Sequence, residues 1–495
     1  MSGLSRRMFL TEALATAGAV FVVACSSKQT SPSATTAPAK PTTAAASSAP
    51  AASTNSPAAT AAPAQQVSSA GGQRVQVEVW TGWTEAAAKN IESILALYNK
   101  SQDKFEAKHV VVPGSGTVML QKILAAVTAG TPPAAAVIFN GSGTVYTLAA
   151  EGGILPMTDV ADTQQLGAMQ KWVSPAVWNI GVYDGKPYAL PMWTQSYGLF
   201  YNASQVQAAG IDPSQAPKTM DDLDTYADKL TVKDSSGNIT RLGLDWTSIQ
   251  AIIAVFHGKF LSDDGTKITA NDPNNVKALD WIVNRYKKYG PQNVQNFYSA
   301  LQNASGRSTT QDPFLTGKYS THFDGSWEIG STQQYAPTGF DWNVWPIPGP
   351  SSDVDPGAFT YGDVFVVPKG TKSKAASWDV VSWLTGATGN RDVYTQLFVV
   401  WPCVNMPDSP QMLTYPTFKK DVVDACKGFN VFTDYFYKQD RYFLYPPKIP
   451  TAASYMDLLT SETQKAELGQ KSVQAALDDV NQQAQKELDD WQNKK

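Results

Sequence analysis

The chain has little of the chemistry that marks an enzyme or a metalloprotein. It carries three histidines and three cysteines in 495 residues. His109, His257 and His322 lie far apart, and no His-x-x-x-His or Cys-x-x-Cys spacing occurs, which excludes the usual zinc frameworks. There is no Gly-x-Ser-x-Gly elbow and no Walker A sequence. The Gly-Ser-Gly-Thr stretches at Gly114 and Gly141 complete neither those motifs nor a dinucleotide fingerprint. "SDDGTK", from Ser262, lacks the alternating acidic ligands and terminal glutamate of a calcium loop and reads as a polar turn. Carboxylates are abundant, yet no pair stands out as a glycosidase pair. Each histidine is expected to be an ordinary core or surface residue, and neither a metal nor a cofactor is expected. The net charge of −4 is spread without long runs, so no nucleic-acid footprint is present. Beyond the first residues no apolar run approaches the roughly 20 needed to span a bilayer.

The start of the chain is of another kind. "MSGLSRRMFLTEALATAGAVFVVACSS" places Arg6 and Arg7 before a short apolar segment, Ala13 to Ala24. That is the layout of a signal peptide over residues 1–24, with small residues before Cys25. The Val-Val-Ala-Cys ending resembles a lipobox, which makes Cys25 the expected lipidation site. "SRRMFL" resembles a twin-arginine export signal, although a generic basic n-region accounts for the same arginines. Residues 25–73 are dominated by Ala, Ser, Thr and Pro, which make up 37 of the 44 residues from Ser27 to Ala70, without apolar periodicity. Such a segment buries too little surface to offset its ordering entropy and is expected to be a tether. With Cys25 lipidated, Cys403 and Cys426 remain as an even pair; a disulfide and two separate buried thiols are both open.

From about Arg74 onward the patterning is globular, and its length predicts two lobes. "VQVEVW" (Val75 to Trp80) alternates as a strand; "TEAAAKNIESILALYN" carries one apolar helical face through Ile91, Ile94, Leu95 and Tyr98. "KHVVV" and "AAVIF" are further strands, and "TVMLQKILAAVTAG" and "GTVYTLAAEGG" further helices. This β-α-β-α-β-α order predicts a parallel sheet with helices on its faces. "YGLFYN", "YSTHF" and "VFVVP" are also strands. "TMDDLDTYADKL" is a helix capped by Thr219. Val473, Ala476, Leu477, Val480, Ala484, Leu488 and Trp491 form one stripe of a C-terminal helix.

Tryptophan is plentiful, with 14 residues, several where loops are expected. Trp80 and Trp83 bracket Thr-Gly after the first strand. Trp193 lies in "LPMWTQS", Trp246 in "GLDWTS", Trp327 in "FDGSWEIG" and Trp401 in "VVWPC". In an open α/β sheet, ligands bind beyond the carboxyl ends of strands. Flat rings cover the apolar face of a sugar, and neighbouring amides, hydroxyls and carboxylates satisfy its hydroxyls. That composition suits carbohydrate better than phosphate. Trp281, Trp378 and Trp383 fall inside helical patterns and are assigned to packing.

Three segments carry a family resemblance. "DGKPYALPMWTQSYGLFYNASQVQAAGID" (Asp184 to Asp212), "FLTGKYSTHFDGSW" and "LGQKSVQAALDDVNQQAQKEL" resemble, in order and spacing, the extracellular solute-binding proteins of family 1, the maltose-binding-like receptors of ABC importers. The resemblance implies an α/β fold of the type II periplasmic-binding-protein kind, with the ligand in a cleft between two lobes. It places residues 74–191 and 348–386 in the N-terminal lobe and 192–347 and 387–495 in the C-terminal lobe. It also implies a monomeric, non-enzymatic receptor that hands a carbohydrate to an ABC permease from the outer membrane face. Trp327 matches the family's Gly-x-Trp ring, and Gln195 a polar contact beside Trp193. Trp83 and Glu85 match the loop after the first strand. Asn140, Gly141 and Ser142 match the loop after "AAVIF". "TYGD" (Thr360 to Asp363) matches a loop that faces the cleft, which offers Tyr361 and Asp363, and Trp246 and Trp401 complete the expected ligand contacts. Gln195 stands where maltose-binding relatives carry an acidic residue, which argues against maltose itself. A non-sugar ligand (glycerol phosphoester, peptide or polyamine) is the alternative, followed by an extracellular glycoside hydrolase and by an adhesive lipoprotein.

Overall fold

Strand β1 (Val75–Thr81) follows from its alternation: Val77 and Val79 point into the core while Gln76 and Glu78 face solvent. In the computed structural model it pairs in parallel with β2 (Phe105–Val111) and β3 (Ala135–Phe139). Helices α1 (Glu85–Ser101), α2 (Thr117–Thr128) and α3 (Thr144–Ala150) make the connections. The structure describes residues 74–114, 116–245, 248–302, 309–438 and 440–494. The expected signal peptide, Cys25, the whole tether of residues 25–73 and Trp246 lie outside the described residues.

Two five-stranded sheets organise the described chain. The first has the order β2-β1-β3-β10-β4, with β4 spanning Ala189–Gln195 and β10 spanning Tyr361–Val366. Its first three strands are parallel, as expected, but β10 runs antiparallel to both neighbours, so the whole sheet is mixed. The second sheet has the order β9-β5-β8-β7-β6, formed by β5 (Tyr197–Asn202), β6 (Val232–Lys233), β7 (Ile239–Asp245), β8 (Tyr319–Gly325) and β9 (Trp342–Trp345). Only Ser196 separates β4 of the first sheet from β5 of the second, and residues 346–360 lead back from β9 to β10.

Local chemistry fixes the helices that flank these sheets. Helix α4 (Met220–Leu230) starts at a capping box in which Thr219 Oγ1 accepts from the Asp222 amide and Asp222 Oδ2 accepts from the Thr219 amide, both at 3.0 Å. The C-terminal helix, α8 (Val473–Gln492), buries the predicted stripe from Val473 to Leu488 against α7 (Ala452–Glu467), with Trp491 at its half-buried end. Helix α6 (Arg391–Val400) packs on α1 and on the helix Lys374–Leu384.

Two expectations are corrected. Trp80 lies within β1 and donates from Nε1 to Glu78 at 3.1 Å, so only Trp83 belongs to the loop beyond it. Trp193 and the "TYGD" residues Tyr361 and Asp363 lie on adjacent central strands, because β10 is recruited between β3 and β4. Cys403 and Cys426 are joined in a disulfide, which settles that choice.

Candidate functional site

The carboxyl ends of β1 and β3 meet a layer of indole rings. Gly82 is required there: a Cβ on it would stand 2.9 Å from both the Gly114 carbonyl oxygen and Phe139 Cε2. That close approach sets Trp83 against Phe139, with ring centroids 5.5 Å apart. Trp83 also meets Trp401 edge-on at 5.1 Å and Trp193 at 6.0 Å, and Trp193 meets Trp401 at 5.6 Å. Trp193 is fully buried, whereas Trp83 and Trp401 are half-buried. Edge-to-face arrangements of this kind add to area burial and hold the rings at fixed angles.

Beside the indoles lies one face of the β4–β10 ladder. Trp193 and Gln195 are two residues apart on β4 and share a face, as do Tyr361 and Asp363 on β10. Their register pairs are Trp193 with Asp363 and Gln195 with Tyr361, and a bulge follows Asp363. Asp363 Oδ2 accepts from Trp193 Nε1 at 2.5 Å, from Gln195 Nε2 at 3.1 Å and from Asn405 Nδ2 at 3.4 Å. Burial pushes the Asp363 carboxyl up to about 6, against the opposing pull of the Trp193 and Gln195 donors.

Three buried polar atoms here have no hydrogen-bond partner among the described residues: Gln195 Oε1, Asp363 Oδ1 and Ser196 Oγ. An unpaired buried polar group costs roughly 1–3 kcal/mol, so the site holds acceptors whose desolvation the protein itself leaves uncompensated.

The second sheet contributes from the end of β8. A Cβ on Gly325 would stand 1.8 Å from Trp327 Cζ3 and 2.0 Å from Cη2, so the indole lies directly over the glycine. Trp327 is the half-buried first residue of α5 (Trp327–Tyr335) and meets Tyr197 edge-on at 6.1 Å. The Tyr197 and Tyr361 hydroxyls are 3.0 Å apart. Ser326 donates from its amide to the Ser196 carbonyl at 3.1 Å and from Oγ to Asn405 Oδ1 at 3.3 Å. A polar chain thus runs from Ser326 through Asn405 to Asp363, joining the end of β8 to β10.

The remaining predicted residues are placed as follows. Gly141 lies against the Tyr361 ring, 3.4 Å from Cδ2 to its would-be Cβ. The Asn140 amide is occupied within the fold: Nδ2 donates to the Ile180 carbonyl and Oδ1 accepts from the Val145 amide, both at 3.1 Å. Ser142 ends the same short 3-10 turn. Glu85 is exposed at the first position of α1 with φ +52°. Sequence reasoning missed Tyr197, Ser326 and Asn405. Tyr197 and Ser326 adjoin predicted residues, but Asn405 reaches the site only through the path of residues 401–408. Among the described residues no group of three or more His, Cys, Asp or Glu is arranged to hold a metal ion.

Comparison with known proteins agrees with this architecture. The chain belongs to the bacterial extracellular solute-binding protein family, whose profile matches residues 93–420. It is 26% identical over 298 residues to a diacetylchitobiose-binding protein of Streptomyces coelicolor, covering 59% of this chain and 63% of that one. It is 24% identical over 219 residues to a maltodextrin-binding protein of Bacillus subtilis, covering 43% and 48%. It is also 26% identical over 238 residues to an sn-glycerol-3-phosphate-binding periplasmic protein of Brucella abortus, covering 45% and 53%. The matched region thus spans about half to just under two thirds of these relatives. In fold, the chain is similar to CpMnBP1 solved with mannotriose, at TM-score 0.68 and 24% identity, covering 83% of this chain and all of that one. It is likewise similar to the cyclic α-maltosyl-1,6-maltose-binding protein of Arthrobacter globiformis, at TM-score 0.64 and 20% identity, covering 84% and 99%. These are solute-binding proteins, and the fold they share with this chain is the type II periplasmic-binding-protein fold. Among the described residues no helix is long and apolar enough to cross a membrane.

Proposed function

We propose that this protein is the carbohydrate receptor of an ABC importer, holding a neutral mono- or oligosaccharide between its two sheets and releasing it to a membrane permease. The observation that carries the reading is the pairing of half-buried indoles, Trp83, Trp327 and Trp401, with the unpartnered acceptors Gln195 Oε1 and Asp363 Oδ1. Rings cover the apolar face of a sugar, and the acceptors take its hydroxyl protons. The charged group that ends the polar chain, Asp363, is a carboxylate, which attracts hydroxyl donors and repels phosphate. Asp363 commits one oxygen to three donors and so acts as a fixed acceptor, suited to binding without catalysis. Trp246, Glu85, Gly141 and Ser142 are retained as proposed ligand contacts.

The lobes of this reading are residues 74–191 with 348–386 and 192–347 with 387–495, hinged at Ser196 and across residues 346–360. The membrane end is a lipid on Cys25 followed by the tether of residues 25–73, and the receptor acts as a monomer outside the cell.

Glycerol phosphoester is the second reading, favoured by the Brucella relative's name. Calorimetry with the purified protein separates the two. Titration by mannotriose, maltotriose or diacetylchitobiose, with no heat from sn-glycerol 3-phosphate and no turnover of a chromogenic glycoside, is the expected result. Heat from the phosphoester alone overturns the reading.

A further inference from the structure

The disulfide lies directly behind the wall of the site. Cys403 and Cys426 are both buried and 23 residues apart in sequence. Cys403 falls between the two residues of its segment that reach the site, Trp401 and Asn405. Each end of the crosslink also meets α5, the helix that begins with Trp327. On one side, Gly330 of α5 leaves room for the loop: a Cβ there would stand 2.5 Å from the Pro402 carbonyl oxygen and 3.7 Å from Cys403 Cβ. On the other, Gln333 of α5 donates from Nε2 to the carbonyl of Ala425, next to Cys426, at 3.2 Å. Cys403 itself has φ +55°, a left-handed conformation that L side chains avoid and that surrounding structure must hold in place.

We infer that the Cys403–Cys426 disulfide is a positioning element of the binding wall, setting Trp401 and Asn405 at a fixed distance from Trp327. On its far side the segment is already pinned to the first sheet, because Thr194 and Met406 exchange both backbone hydrogen bonds at 3.1 Å. Asn405 is held to Asp363 and to Ser326. Between Trp401 and Asn405 the crosslink is the covalent restraint that keeps the loop against α5. Without it, Cys403 is free to leave its strained conformation, and the Trp401 ring turns with it. The Trp83–Trp193–Trp401 layer then opens and Asn405 draws away from Asp363. The disulfide thereby makes ligand affinity depend on an oxidising surrounding, such as a family of extracellular proteins meets.

This inference rests on the carbohydrate reading for its ligand, and its test keeps the two apart. The full chain and the Cys403→Ser/Cys426→Ser variant are titrated with mannotriose, maltotriose and diacetylchitobiose, each also in a Trp401→Ala background. Hydrogen exchange is followed over residues 401–408 and, as a control, over α4. The expected result is at least a fivefold loss of affinity on removing the disulfide. In the Trp401→Ala background that factor falls to half or less, since coupled residues are not additive. Exchange should rise over residues 401–408 and stay unchanged over α4. Equal losses in both backgrounds, or exchange rising everywhere, would make the disulfide merely a global staple and overturn the inference. Unchanged affinity would also overturn it. If the oxidised protein binds none of the three sugars, the carbohydrate reading fails, and the exchange pattern alone decides whether the disulfide positions the loop.

Discussion

Adding one methyl group at Gly325 should disable the Trp327 platform while sparing the fold. The new Cβ would stand 1.8, 2.0 and 2.3 Å from Trp327 Cζ3, Cη2 and Cε3, where ordinary carbon contacts lie near 3.5–4.0 Å. The glycine cannot retreat, because it ends β8 in register with Tyr197. The half-buried indole must therefore move by about 2 Å, off its rotamer or out of the site, at roughly 0.5–1.5 kcal/mol of side-chain strain. Stability should fall by no more than about that amount. Ligand affinity should fall at least tenfold, or about 1.4 kcal/mol, matching Trp327→Ala. Calorimetry and thermal unfolding of Gly325→Ala, Trp327→Ala and the double variant are the assay. The double variant should bind like Trp327→Ala, since no ring remains to be displaced. Wild-type binding by Gly325→Ala, or a further equal loss in the Trp327→Ala background, would refute the reasoning.

Other consequences follow from the polar chain and the backbone. Gln195→Ala removes an acceptor and leaves Asp363 short of a donor; calorimetry should show affinity down by about 1–3 kcal/mol, roughly 5- to 150-fold. Burial pushes the Asp408 carboxyl up to about 7, above its unfolded value near 4, so ionisation favours the unfolded chain. Its contribution to stability is greatest below about pH 4, declines as pH rises through about 7, and then levels. Urea unfolding from pH 4 to 8 should show that part of the slope missing in Asp408→Asn. Glu85→Gly relieves a left-handed backbone worth about 1–2 kcal/mol against roughly 0.5–1 kcal/mol of added chain entropy, and should raise net stability by about 0.5–1 kcal/mol in thermal unfolding. If the Glu85 side chain touches ligand, the same variant loses affinity as it gains stability.

The legible parts of this protein are those in which neighbours in sequence are neighbours in space. The α1 face, the Thr219 cap and the Val473–Leu488 stripe depend on helical spacing, and all three form as their residues dictate. Trp327 was marked by its own surroundings, and Gly325 beneath it is required by the ring itself. The β4–β10 face was less legible, because Trp193 and Asp363 meet across 170 residues. No local pattern shows that β10 inserts antiparallel between β3 and β4, which turns "TYGD" from a loop into a central strand. Asn140 illustrates the opposite case: a well-placed amide after β3 whose donor and acceptor the fold already uses. Asn405 became visible only once the disulfide and Met406 had fixed the path of its loop.

Carbohydrate recognition by Trp327 together with Gln195 is the central claim, and one titration tests it most directly. The purified protein and its Trp327→Ala and Gln195→Ala variants are titrated with mannotriose, maltotriose, diacetylchitobiose and sn-glycerol 3-phosphate. The account predicts that at least one of the three sugars binds the wild-type protein, weakens at least tenfold with Trp327→Ala and about fivefold or more with Gln195→Ala, and that the phosphoester gives no heat. Binding of the phosphoester alone, or sugar binding indifferent to both substitutions, would contradict it.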